Sequence, residues 1–289
     1  MRMLYYGVFD GRRWRSEYPI KEAFETLGYQ LWLSNFRSRL PWRISADWKK
    51  NKARTDLVFI QNGIPFPVDM MQQFDCPVAY LASEFSLQSQ IHLLQSKRPP
   101  DFVLAHSEQV FEWCQHHQIP TRRIHHAYNP HFYKRLEIPY LYDLCFIGGM
   151  TPRRLALLEA LQKHFKVKVA TSWKPAEVNQ IYNQSRLVLH IHAQEETYLP
   201  TRFFEVLPTQ GCFLTEDLGQ NEVPELKPGY VSWKDLKDLL EKTELLLKNP
   251  EQRQALVAQA NALAPEHTWL ARIREYDQIF KSLKGLASQ

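Results

Sequence analysis

Short apolar runs alternate with amphipathic helical stretches along most of this chain, and that alternation constrains the fold more than any other feature. The runs are too short for buried helices, and most lack polar alternation. They therefore read as strands covered on both faces, the pattern of parallel α/β layering. In the first half they fall at residues 3–9, 30–33, 57–61, 78–82 and 102–105. Between the first two, Ile20, Ala23, Phe24 and Leu27 share one helical face and Gly28 follows as a helix terminator. Residues 108–117 read as a further helix. After a Pro-containing passage at 128–140 the rhythm restarts, with strands at 143–147, 167–170, 187–192 and 212–215. Helices are expected at about 153–164, 176–183, 201–207, 236–247, 252–263 and 270–283.

The expected organisation is an α/β chain of two halves: 1–138, 139–268, and a closing helix at 269–289. A length of 289 residues accommodates two domains. No stretch approaches the roughly 18 consecutive apolar residues of a membrane helix. The first residues read at once as a strand rather than as a signal peptide, so residence in the cytoplasm is expected. Cys76, Cys114, Cys145 and Cys212 form no C-x-x-C pair, so reduced thiols are expected rather than a disulfide framework or zinc knuckle. His190 and His192 share one strand face, and His116-His117 and His125-His126 are adjacent pairs, but no H-E-x-x-H accompanies them; no metal is expected. The net charge of +5 suits an anionic ligand and is too small to argue for nucleic acid.

Two segments carry the chemistry. In the first, the strand ending at Ile147 runs into Gly148-Gly149, then Thr151-Pro152, then a helix opening with Arg153 and Arg154. Glycines let backbone N–H groups approach a phosphate, the helix N-terminus adds partial positive charge, and arginine offers a guanidinium fork. The same residues also suit an ordinary strand-to-helix turn with arginines on a solvated face, because the spacing is not G-x-G-x-x-G. In the second, the strand through His190 and His192 enters an acidic loop, Glu195-Glu196-Thr197-Tyr198, before a helix bearing Arg202, Phe204 and Glu205. A carboxylate there can accept both hydroxyls of a ribose, and Arg202, about one turn earlier, can reach a phosphate. The bland alternative is an Arg202–Glu205 surface pair.

From Tyr142 to Phe280 the chain resembles the CgeB-like (spore-maturation-protein) branch of GT-B glycosyltransferases. The resemblance rests on Phe146-Ile147-Gly148 through Arg154, on Ser185–His192 with His190 where the family has Asn, and on Arg202, Phe204, Glu205, Leu207, Gly211, Phe213, Leu214 and Thr215. Residues 247–253 and Glu266-His267-Thr268-Trp269 extend it. It implies two Rossmann-like, doubly wound domains facing a central cleft. It also implies a nucleotide diphosphate sugar as donor substrate, held by Gly148, Gly149, Arg153, Arg154, His192, Tyr198, Arg202, Phe204 and Glu205. Glu205 would sit on the ribose, and neither a cofactor nor a metal would be needed. The family-4-type E-x(7)-E spacing is not met, because Thr197 stands eight before Glu205, so the stereochemistry stays open.

For the acceptor side, Asp10, Glu84 and His106 follow strands of the first half and are the candidates for a catalytic base. Asp10-Gly11 is also a strong turn signal, and His106 precedes Ser107, a natural helix N-cap. A glycan, lipid or small molecule is the expected acceptor. The passage 37–54, from Arg37 to Arg54, interleaves basic residues with Trp42 and Trp48. It reads as a solvated loop, with peripheral contact to an anionic membrane as the functional alternative. Single-stranded nucleic acid would want more than one such stretch and is not expected. A nucleotide- or carbohydrate-binding protein without transfer, and a sugar-nucleotide epimerase, would show the same donor-side residues.

Overall fold

The computed structural model describes residues 1–37, 41–62, 66–84, 86–172, 174–193 and 198–287, without the side chains of residues 41 and 286–287. It divides into two compact units: Met1–His125 with Trp269–Gln289, and His126–Thr268.

The first unit is built on β1 (Arg2–Gly7), β2 (Gln30–Asn35), β3 (Leu57–Gln61), β4 (Val78–Ala82), β5 (Phe102–Ala105) and β6 (Thr121–Arg123). All pair in parallel, in the order β2-β1-β3-β4-β5-β6. Every residue of β3 and β4 is buried, as is β1 after its first residue. That explains their unbroken apolar sequence, since both faces are covered. The connecting helices are α1 (Glu17–Thr26), α2 (Pro41–Asn51), α3 (Leu87–Leu94) and α4 (Glu108–His116). Gly28 takes φ +79 just past α1, the left-handed conformation that lets the chain turn back into β2.

The passage 37–54 departs from the loop expected of it. Most of it is α2, whose Ile44 and Trp48 are each 2% exposed, with the Trp48 indole N–H donating to Gln73 O at 2.9 Å. The basic residues occupy the outer face and mask a narrow apolar stripe that faces the core.

The second unit contains β7 (Tyr142–Ile147), α5 (Pro152–Gln162), β8 (Val167–Ala170), α6 (Pro175–Asn183), β9 (Ser185–His190), α7 (Thr201–Val206) and β10 (Cys212–Glu216). It continues with β11 (Tyr230–Trp233), α8 (Leu236–Lys248) and α9 (Pro250–Leu263). Its sheet is parallel in the order β11-β10-β9-β7-β8. Thr151 caps α5 by accepting from Arg154 N at 3.2 Å, with Pro152 in the first turn where its missing N–H costs nothing. The passage after His125 groups with this unit, whereas residue 138 was the expected border. Its Lys134 and Leu136 amides donate to the side chains of Asn179 and Asn183 at 3.1 and 3.0 Å.

The chain ends in α10 (Trp269–Ala287), part of the first unit. Its Ile273, Tyr276 and Phe280 are fully buried, and the Phe280 ring lies 5.9 Å from Phe24 and 5.7 Å from Phe59. Among the described residues, no helix is long and apolar enough to cross a membrane.

Candidate functional site

Each sheet reverses its strand order once, between β1 and β3 in the first unit and between β7 and β9 in the second. The connections that leave two such strands diverge to opposite faces, so a crevice opens beyond their C-terminal ends, where ligands of doubly wound sheets bind.

In the second unit that edge carries Gly148 after β7, His192 just past β9 and Glu216 at the end of β10. Gly148 is buried; a Cβ there would lie 3.2 Å from the Phe146 ring and 3.6 Å from Arg202 Nη1, so the arginine lies close against the turn. Arg202 Nε donates to the Tyr182 hydroxyl at 2.9 Å, and that hydroxyl donates to Glu205 Oε2 at 3.2 Å. Arg202 and Glu205 are thus joined through a buried tyrosine rather than as a simple surface pair. A second hydroxyl, that of Tyr133, also bonds Glu205. Burial raises the Glu205 carboxyl above its ordinary range, against the opposing pull of Arg202 and the two hydroxyls. Burial alone would lower the Arg202 guanidinium, but Tyr182 and Glu205 outweigh it and hold the group above its usual value.

The two arginines opening α5 have separate fates. Arg153 is exposed and forms an ion pair with Glu216. Arg154 is 8% exposed and turned inward: Nε and Nη2 donate to Ile191 O at 3.1 and 2.6 Å, and Nη1 to Gly149 O at 2.8 Å. The fork expected to grip a diphosphate instead ties the turn after β7 to the segment after β9. Gly149 is exposed, and a Cβ there would meet no protein atom within 4 Å.

His190 and His192 are both buried, with His190 Nε2 and His192 Nδ1 3.3 Å apart. The His192 amide donates to Glu216 Oε2 at 2.9 Å. Burial lowers both imidazoles; for His190 the effect is large and is reinforced by His192, Arg202 and Arg154. Tyr198 lies 6.2 Å from His192, ring to ring. Phe204 is 1% exposed and packs on Phe203 and His267, which makes it a core residue with no surface to offer a donor. Glu195, Glu196 and Thr197 lie outside the described residues.

In the first unit Asp10 is exposed and engaged: its carboxylate lies 3.1 Å from Arg15 Nε and 3.6 Å from Arg12 Nε, and accepts from Arg12 N. Glu84 is exposed and accepts from Asn62 Nδ2 at 2.9 Å. Asn62 itself follows β3 with φ +48, a conformation that asparagine tolerates better than most residues. His106 is 2% exposed, which leaves it no open face toward an acceptor. Sequence reasoning missed Glu17, the first residue of α1, which is 4% exposed and accepts from Val8 N at 3.3 Å. Burial raises its carboxyl, with Arg15 and Arg37 opposing. Tyr133, Tyr182 and Glu216 were also missed. Nothing in linear spacing marks them, because the passage before β7, helix α6 and the end of β10 bring them to the site separately.

Among the described residues, no three His, Cys, Asp or Glu side chains are grouped so as to hold a metal ion. Residues 153–278 match a family model described as "Glycosyl transferase-like". No match was found among curated proteins. Among solved structures, the chain is similar to a DNA-modifying β-glucosyltransferase studied with and without uridine diphosphoglucose, at 11% identity and TM-score 0.65, with 99% of this chain and 100% of that one covered. A T4 phage enzyme in complex with UDP-glucose gives 9% identity and TM-score 0.62, covering 98% and 99%. TarM gives 11% and 0.55, covering 78% of this chain and 54% of that one. The chain thus has the GT-B glycosyltransferase fold, and its glycosyl transferase-like region runs from α5 of the second unit into α10 of the first.

Proposed function

We propose that this glycosyltransferase-like chain of GT-B fold transfers a sugar from a nucleoside diphosphate sugar held by its second unit. The observation that carries the reading is the Arg202–Tyr182–Glu205 chain of hydrogen bonds beside the Gly148 turn, at the crevice where β7 and β9 diverge. Glu205 presents a carboxylate whose remaining acceptor capacity suits the two hydroxyls of a ribose. Arg202 meets the diphosphate, supported by the N-terminal end of α5. Stabilising the departing diphosphate is the electrostatic work of such a transfer, because negative charge builds there as the glycosidic bond to phosphate breaks.

Two residues change roles relative to the family-based expectation. Arg154 positions the Gly148 turn, and Phe204 supports α7 from the core. His192 and Tyr198 border the donor, and Arg153 is drawn toward Glu216. For the acceptor, Glu84 is the preferred base: it is exposed, and the Asn62 amide orients it. Asp10, ion-paired with Arg12 and Arg15, ranks below it, and buried His106 below both.

The transfer is read as metal-independent, with Arg202 and the α5 N-terminus meeting the diphosphate. A T4 neighbour of the same fold was solved with UDP and Mn2+. The test is release of nucleoside diphosphate from a panel of UDP-, GDP-, ADP- and TDP-sugars, with EDTA or with Mn2+. Release from one donor in EDTA is expected. Release only with Mn2+ would overturn metal independence. Binding of a nucleotide without any release would favour the non-catalytic reading.

A further inference from the structure

The Arg- and Trp-containing passage after β2 does not stand alone. β1 and β2 are hydrogen-bonded parallel neighbours whose register ends with Gly7 opposite Asn35, so the segments that follow them leave the sheet side by side. Asn35 Nδ2 donates to Phe9 O at 2.9 Å and ties the two together. One segment reads Gly11-Arg12-Arg13-Trp14-Arg15; the other contributes Arg37, Trp42 and Arg43. Trp14 is 49% exposed and Trp42 61%. The Arg43 guanidinium lies 5.1 Å from the centre of the Trp42 ring, and the Arg12 side chain is 60% exposed. Nearby acids are engaged within the unit: Asp10 with Arg12 and Arg15, Asp47 with the Ser34 hydroxyl, and Glu17 with the Val8 amide.

We propose that this two-segment rim of the first unit binds single-stranded nucleic acid, its exposed indoles stacking on bases and its guanidinia meeting phosphates. Stacking platforms set among cations are the general means of holding an unpaired strand. Two observations favour a strand over a lipid surface. The rim cations are arginines, whose planar forks match phosphate and stack on rings, whereas lysines follow only from the last turn of α2 onward. The rim also exposes no large aliphatic side chain, among the described residues, to enter a bilayer. The binding stands whether or not the chain transfers sugar. Where transfer holds, the rim places a nucleic acid strand on the unit expected to hold the acceptor.

The test is fluorescence anisotropy of a labelled oligodeoxynucleotide of about 15 residues, a length that spans a typical strand-binding site, titrated with the intact protein from low to physiological salt. Anionic phosphatidylglycerol vesicles form the parallel arm. Binding is expected to fall with salt at a slope of about −0.7 per phosphate contacted, and Arg13→Ala with Arg43→Ala to flatten the slope by roughly 1.4. Trp14→Ala or Trp42→Ala should weaken binding roughly 5- to 150-fold, with Trp14→Phe retaining most of it. Far-UV circular dichroism confirms that each variant is folded, and UDP affinity measured alongside is expected to stay at the parent value. No binding at low salt, unchanged binding in both tryptophan variants, or tighter binding to the vesicles than to the strand would each overturn the proposal. A parent that binds the strand but no nucleotide would keep this inference and remove the donor reading.

Discussion

Replacing Arg154 with methionine should damage the fold of the second unit more than it damages any direct contact with ligand. The side chain is 8% exposed, and its three donated bonds end on two backbone carbonyls, Ile191 O and Gly149 O. Its guanidinium also lies 5.3 Å from the Phe146 ring centre. Hydrogen bonds from a charged donor contribute about 1.5–3 kcal/mol, and a carbonyl left buried without a partner costs about 1–3 kcal/mol. Against this stands the desolvation of the guanidinium, which burial already pushes below its ordinary pKa and which methionine would relieve. The net loss expected is about 2–4 kcal/mol, or a fall in Tm of roughly 5–15 °C for a unit of this size. Arg154→Lys, which keeps the charge but only a single point of donation, should recover part of it. The assay is thermal and urea unfolding followed by circular dichroism, with UDP binding measured below the transition. An Arg154→Met protein with the parent Tm and a more than tenfold loss of UDP affinity would refute the argument. It would return the guanidinium to the diphosphate.

Three further outcomes follow from named contacts. His190 is held neutral by burial, with its folded pKa far below the unfolded value of about 6.5, so the unfolded chain binds more protons just below that pH and stability falls on acidification. His190→Asn should therefore lose less stability than the parent between pH 7.5 and 5.0 in urea titrations; identical losses would remove His190 as the cause. Gly211→Ala would bring a Cβ within 2.6 Å of Val188 Cγ2 and 2.9 Å of Tyr182 O. It should cost about 1–3 kcal/mol, and an unshifted urea midpoint would contradict that crowding. Tyr182→Phe removes the hydroxyl between Arg202 and Glu205 and should lower stability by about 1–3 kcal/mol while weakening UDP binding. A variant unchanged in both respects would show the bridge to be idle.

The sheet strands were legible because burial on both faces leaves an uninterrupted apolar signature, as in β3 and β4. Capped helices were legible too, since Thr151-Pro152 and Gly28 announce their turns through local chemistry. The short edge strands β6 and β11 were not seen: Thr121–Arg123 is polar, and Tyr230–Trp233 follows a Pro-containing stretch. In the site, Arg202 and Glu205 were visible as residues one turn apart on α7. Tyr182 and Tyr133, which determine what those charges do, come from other connections and leave no spacing to read. Arg154 shows the converse limit: its position before a helix suggested a ligand, and only its bonds to Ile191 and Gly149 reveal an inward role.

The most direct test of the account is calorimetric titration of UDP, GDP, ADP and TDP into the parent and into Glu205→Ala. At least one diphosphate is expected to bind the parent, and the variant to bind it with about 1–3 kcal/mol less free energy, roughly 5- to 150-fold. Its circular dichroism should still show a folded chain. A parent that binds none of the four, or a folded Glu205→Ala with undiminished affinity, would contradict the nucleotide site on which the whole reading stands.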